Sequence, residues 1–396
     1  MIFSIALVLL VGYLMGEIFK ALKLPPLVGM IIAGIVLGPQ VINALSSDFI
    51  ELSVYLRKIA LVVIILRAGL TIDLKDLKEI GRPAILMSFV PALFEIAAVT
   101  IVAPLITDIS YLEAAMLGCI LAPVSAAVVI PSMIKIIKTG YGNDKKVGQI
   151  ILAGTSNDDM LAIVLFTVLI GVFQGENVSF MTIASVPLSL IVGILLGIIV
   201  GVILSAIFKM FEISVVAKVL ILLSVSLLIV AFEDNVPSIP QSSLLSIITV
   251  GMIILKNIKN DAILIEGSLN KMWFFLQIFL FISIGALIDL KYASDFFVTA
   301  LLIIISGTAF RFVAVWLSLS KTNLTFKERL FCGISYLPKA TVQAAMSSIP
   351  LSLGVPAGEL ILTVSVMAII ILAPIGSALI ELTYKKILSK EQIERL

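Results

Sequence analysis

The stretch Gly154-Thr155-Ser156-Asn157-Asp158-Asp159-Met160-Leu161-Ala162-Ile163-Val164-Leu165-Phe166 sets two adjacent carboxylates inside an apolar run. The run extends over about residues 146–173. At 1.5 Å per residue it is long enough to cross a bilayer core roughly 30 Å thick. Asp158 and Asp159 fall about a dozen residues in, near the midplane. A carboxylate there costs on the order of 3 kcal/mol or more, and an adjacent pair costs more. A lone intramembrane carboxylate reads well as a helix–helix hydrogen bond. A pair flanked by Thr155, Ser156 and Asn157 reads better as a site for a cation and a proton.

Composition sets the surroundings of that pair. The 396 residues are 61% hydrophobic and 13% charged, with a mean hydropathy of +1.22. Soluble domains are roughly half apolar and a quarter charged, so a soluble globular protein is excluded. The net charge of +2 is sorted among loops and forms no patch for nucleic acid. Cys119 and Cys332 lie in apolar runs and are expected as buried free thiols. The chain has no histidine, so proton chemistry near neutral pH falls on Asp or Glu. No enzymatic reaction and no cofactor is expected.

Counting apolar runs predicts thirteen spanning helices, at about 2–18, 26–45, 50–72, 82–105, 110–137, 146–173, 180–209, 214–232, 240–256, 270–289, 296–319, 326–351 and 357–384. The first lacks a basic leader and a small-residue cleavage site, and reads as a span and not a signal peptide. With the N-terminus outside and the C-terminus in the cytoplasm, Lys291 is the one basic residue assigned to an external loop. Arg57, Lys58, Arg67, Arg311 and Lys339 fall inside helices, and every other Lys and Arg falls on the cytoplasmic side. That asymmetry supports the odd helix count and the orientation. Arg67 reads equally as a snorkelling or a functional cation, and Arg57 and Lys58 as structural or lipid-facing. Asp73 and Asp76 fall in a cytoplasmic loop, where they would draw cations toward a funnel.

An internal repeat emerges from two matched helices. The fifth carries Ala122-Pro123-Val124-Ser125-Ala126-Ala127-Val128-Val129-Ile130-Pro131. The twelfth carries Leu337-Pro338-Lys339-Ala340-Thr341-Val342-Gln343-Ala344-Ala345-Met346-Ser347-Ser348-Ile349-Pro350. Pro123 and Pro338 are 215 positions apart, and Glu95 and Arg311 are 216 apart. Residues 1–173 form one six-helix repeat and 214–384 the other, with a linker helix at 180–209. The single linker helix makes the second repeat enter from the opposite side, so the repeat is inverted. Proline removes an amide donor and favours an unwound stretch, tolerated at membrane depth only inside protein or along a wet cavity. Two such stretches crossing expose helix ends, and Lys339 is placed to offset the negative ones.

With these motifs together, the chain resembles the monovalent cation/proton antiporters, most closely the NHA branch. Four segments carry the resemblance: Ile65-Leu66-Arg67-Ala68-Gly69-Leu70 with Asp73; Val128-Val129-Ile130-Pro131-Ser132-Met133 with Gly140-Tyr141-Gly142; Asp158-Asp159-Met160-Leu161-Ala162-Ile163; and Leu337-Pro338-Lys339-Ala340-Thr341-Val342-Gln343-Ala344-Ala345. The resemblance implies an all-α integral membrane protein of the NhaA-like fold, two inverted six-helix repeats with crossed broken helices. It implies a core domain of helices 4–6 and 11–13 moving against a dimer domain of helices 1–3 and 8–10, in a homodimer. It makes Asp159 the principal ion ligand beside Asp158, and places Glu95 and Arg311 in the core. The sequence departs from the pattern at Val124-Ser125, where relatives carry Thr-Asp, and at Arg311, where many electrogenic relatives carry lysine.

The reading that follows is a sodium (or lithium)/proton antiporter of the plasma membrane, working by alternating access. Asp159, Asp158, Asn157, Ser156, Thr155, Ser125 and Thr341 are the candidate oxygen donors for Na+ or Li+. Glu95 and Arg311 are expected as a core ion pair and Lys339 as compensation for broken-helix dipoles. The exchange is expected to be electroneutral, because a guanidinium stays protonated through the cycle. The alternatives are a sodium-coupled organic-anion symporter of related fold, and a cation channel or sensor.

Overall fold

A computed structural model gives the structure of the chain and describes residues 1–71, 81–155, 158–175, 180–235 and 243–390. Among these residues there is no strand, only one isolated bridge between Tyr141 and Lys390. The helices are α1 (Ile2–Ala21), α2 (Pro26–Leu37), α3 (Ser47–Thr71), α4 (Arg82–Ile106), α5 (Tyr111–Leu121), α6 (Ala126–Lys138), α7 (Val147–Thr155), α8 (Asp158–Gln174) and α9 (Phe180–Met210). They continue with α10 (Val215–Asn235), α11 (Ser243–Asn257), α12 (Lys259–Ala286), α13 (Leu290–Asp295), α14 (Phe297–Ser318), α15 (Phe326–Ser335), α16 (Thr341–Met346), α17 (Ile349–Ser352) and α18 (Gly358–Ile387).

Every predicted span is represented. Seven of the described helices are long and apolar enough to cross a membrane whole. The fifth span is divided between α5 and α6, and the twelfth between α15 and α16. The predicted tenth span, 270–289, begins instead at Lys259. Its charged first turns are accommodated by ion pairs, Asp261 with Lys218 at 2.9 Å and Glu266 with Arg67 at 3.1 Å. Arg67 is thus half-buried and paired. Cys119 and Cys332 are buried and free. Asp73 and Asp76 lie outside the described residues.

The chain divides into two compact units, one of Met1–Ser53, Lys75–Ala162 and Ile278–Leu396, the other of Val54–Leu74 and Ile163–Gln277. In the first, α4 lies against α5, α7 and α14, and α18 against α5, α15 and α16. In the second, α11 packs on α9 and α10.

Repeat-equivalent residues make reciprocal contacts. On α2 and α12, a Cβ at Gly34 would lie 2.1 Å from the Ile282 carbonyl oxygen, and one at Gly285 would lie 2.2 Å from that of Ile31. On α3 and α11, a Cβ at Gly69 would lie 2.3 Å from the Ile248 oxygen, and one at Gly251 would lie 2.8 Å from the Gly69 carbonyl carbon. Such backbone contact admits no side chain, which is why glycine stands at these four places. Gly34 and Gly251 are 217 positions apart and Gly69 and Gly285 216, close to the offsets of the other matched pairs, and each contact joins a helix of one half to a helix of the other.

The broken spans begin alike. Ser110 and Glu113 form a capping box on α5, Thr325 and Glu328 one on α15, again 215 positions apart. Glu113 reaches on to accept from Ala357 N at 2.9 Å, and Glu328 to pair with Lys145 at 2.9 Å. Each capping glutamate thereby holds the residues that precede the next helix of the opposite repeat.

Candidate cation site

The site is built where the two broken spans meet. Residues 122–125 separate α5 from α6, and 336–340 separate α15 from α16. Pro123 and Pro338 stand in these breaks, whereas Pro131 lies inside α6 and Pro350 opens the one-turn α17. The breaks touch directly: Ser125 N donates to Pro338 O at 2.8 Å.

Breaking a helix in an apolar interior frees carbonyls that need donors. Lys339 Nζ donates to Ala122 O at 3.3 Å, at the negative end of α5. Gln343, fully buried, donates from Nε2 to Pro123 O at 2.7 Å and to Leu121 O at 3.4 Å, while its Oε1 accepts from Ala340 N at 2.8 Å. Gln343 was not among the residues singled out from sequence, although it stands in the quoted twelfth-helix motif.

Five ionisable side chains are buried around the crossing: Asp158, Arg311 and Lys339 are each 1% exposed, Glu95 2% and Asp159 8%. Glu95, on α4, is shared by two cations. Its Oε2 accepts from Arg311 Nε and from Lys339 Nζ, the latter at 2.8 Å. Lys339 therefore does more than face a helix end. Asp158 Oδ2 accepts from Val124 N at 3.0 Å, in the break of the fifth span, and lies 3.8 Å from Arg311 Nη1.

Several oxygens here are left over. Among the described residues, Asp158 Oδ1, Asp159 Oδ1 and Ser125 Oγ are buried with no hydrogen-bond partner. Inside a protein such atoms are costly unless something else satisfies them. The Thr155 hydroxyl is spent within α7, donating to Ile151 O at 2.9 Å. Thr341, buried, is the first residue of α16. Ser156 and Asn157 lie outside the described residues.

The chain can now be set beside known proteins. The family described as "Sodium/hydrogen exchanger, transmembrane" matches residues 5–386. Sodium/hydrogen exchanger 9B2 of Xenopus tropicalis is 30% identical over 409 residues, covering 99% of this chain and 76% of that protein. The Homo sapiens protein of the same name is 30% identical over 394 residues, covering 96% and 73%. In structure, the sodium proton antiporter MjNhaP1 of Methanocaldococcus jannaschii at pH 8 superposes with a TM-score of 0.81 at 19% identity, covering 97% of both chains, which shows the shared fold. A family match along nearly the whole chain, over a multi-pass helical membrane fold with carboxylates buried at the crossing of two broken helices, establishes that the chain belongs to the sodium/hydrogen exchanger family.

Proposed function

We propose that the protein exchanges sodium or lithium for protons by alternating access, both ions competing for the Asp158–Asp159 pair. The observation that carries this reading is the set of three buried oxygens without donors among the described residues, Asp158 Oδ1, Asp159 Oδ1 and Ser125 Oγ. Hard anionic and hydroxyl oxygens suit a small dehydrated alkali ion, and a proton satisfies the same carboxylates. Binding one ion then releases the other. Ser156, Asn157, Thr155 and Thr341 are proposed as supplementary donors. In the same reading helices 4–6 and 11–13 form the moving core, helices 1–3 and 8–10 form the dimer domain of a homodimer, and the N-terminus is external at the plasma membrane.

Charge counting supports an electroneutral cycle. Arg311 and Lys339 together carry two positive charges, and Glu95 and Asp158 two negative ones. Asp159 is then the single excess charge, neutralised by one sodium or one proton. At the crossing Glu95 engages Arg311 Nε and Lys339 Nζ, while Arg311 Nη1 and Nη2 have no hydrogen-bond partner among the described residues.

Two measurements test this. In proteoliposomes an imposed pH gradient is expected to drive sodium and lithium uptake, whereas a membrane potential without a pH gradient drives none. Potential-driven accumulation would overturn the electroneutral cycle, with Lys339 and Asp158 the groups to examine for a second proton. Acid should inhibit competitively: in the proton-dominated limit, one-site competition raises the apparent KM for sodium about tenfold per unit fall in pH. Inhibition that saturating sodium fails to relieve would contradict a shared site.

A further inference from the structure

Pro91 lies inside α4 and has no amide hydrogen, so the carbonyl of Met87, four residues earlier, lacks its helical donor. The Tyr336 hydroxyl takes that place, donating to Met87 O at 3.2 Å. Tyr336 is fully buried at the C-terminal end of α15, three residues before Lys339. Its ring centroid lies 5.8 Å from the Arg311 guanidinium carbon. The same hydroxyl fills the space at Gly154 on α7, where a Cβ would lie 1.8 Å from Tyr336 Oη. Gly154 is four positions ahead of Asp158. One phenol thus touches α4, which carries Glu95, the α7 arm that leads to the aspartates, and Arg311.

We propose that Tyr336 is a positioning residue for the exchange. Its hydroxyl is a spacer, pinned by the carbonyl that Pro91 frees and seated on Gly154, that sets the α7 arm against Arg311 and the start of the twelfth-span break. A tyrosine that merely filled core would need neither a carbonyl released by proline nor a glycine opposite its oxygen. The role rests on the exchange function proposed above, but the spacer itself is testable apart from it.

Tyr336→Phe keeps the ring beside Arg311 and removes the pinned oxygen. Gly154→Ala keeps the oxygen and drives a methyl into it. Each single variant is expected to raise the apparent KM for sodium in proteoliposomes roughly tenfold, with a smaller fall in maximal rate. Tyr336→Phe leaves the buried Met87 carbonyl without a donor and should melt below the parent, but less so than Gly154→Ala. The double variant should recover most of what Gly154→Ala loses, because the nearest contacts of the methyl become Met87 Cβ at 3.0 Å and the ring carbon at 3.2 Å. Parental sodium kinetics in Tyr336→Phe, or additive losses in the double variant, would overturn the proposal. If Gly154→Ala does not accumulate, restored accumulation of the double variant supports the spacer and continued failure counts against it. If the parent shows no exchange, the functional reading fails by itself. The melting temperatures of the double variant and Gly154→Ala then decide the spacer, with recovery expected and additivity overturning it.

Discussion

Asp159→Asn is expected to reduce sodium/proton exchange to the level of empty liposomes. Amidation removes the titrating group and the anionic ligand together, and leaves a neutral amide where the charge count requires one exchangeable negative charge. Asp159 Oδ1, like Asp158 Oδ1, has no hydrogen-bond donor among the described residues, and the proposed exchange places the transported ion there. Asp158 is tethered differently, with one oxygen on Val124 N and facing Arg311. Asp158→Asn can keep that backbone hydrogen bond through its amide oxygen. It should therefore retain measurable transport, reduced roughly tenfold for loss of one charged contact. Flux at the parental rate in purified Asp159→Asn protein would remove Asp159 from the mechanism.

Glu95→Ala is expected to be the most destabilising single change at the crossing. It removes the carboxylate shared by Arg311 and Lys339 and leaves two buried cations without it. Breaking one buried ion pair by removing a partner costs about 3–5 kcal/mol. Arg311→Ala should cost less, because Glu95 keeps Lys339 at 2.8 Å. Exchanging the charges of the pair, Glu95→Arg with Arg311→Glu, should recover only part of the loss, since the new cation at position 95 would face Lys339. Thermal melts of the purified variants check the order. Equal melting of Glu95→Ala and the parent would show that the shared carboxylate does not hold the core together.

Much of this arrangement is legible in the chain because membrane burial makes charge and proline expensive. Buried ionisable groups are few, and Glu95 and Arg311 fall at matching repeat positions, so their pairing follows from offset and cost. The breaks at Pro123 and Pro338 are visible for the same reason. The capping boxes at Ser110–Glu113 and Thr325–Glu328 were equally visible, as the same spacing of hydroxyl and glutamate at the repeat offset, and they would have strengthened the repeat. Lys339 is different. Its sequence position puts it near a helix end, but its bond to Glu95 depends on the packing of α4 against the break. Gln343 and Tyr336 were hidden by ordinary appearance, a glutamine and a tyrosine in apolar runs. Their roles come from carbonyls released elsewhere, at 121–123 and at Met87, and no local pattern announces which side chain will reach them.

At the first break the Val124 backbone N–H donates to Asp158, and Gln343 and Lys339 supply donors for the carbonyls of the broken fifth span.

If sodium and a proton compete for one aspartate pair, sodium added to the purified protein in weakly buffered solution displaces protons that a pH indicator can follow. Release of about one proton per sodium bound is expected, abolished in Asp159→Asn protein and smaller at alkaline pH, where the carboxylate is already ionised. Sodium binding with no proton release, or release that persists unchanged in Asp159→Asn, would contradict that competition.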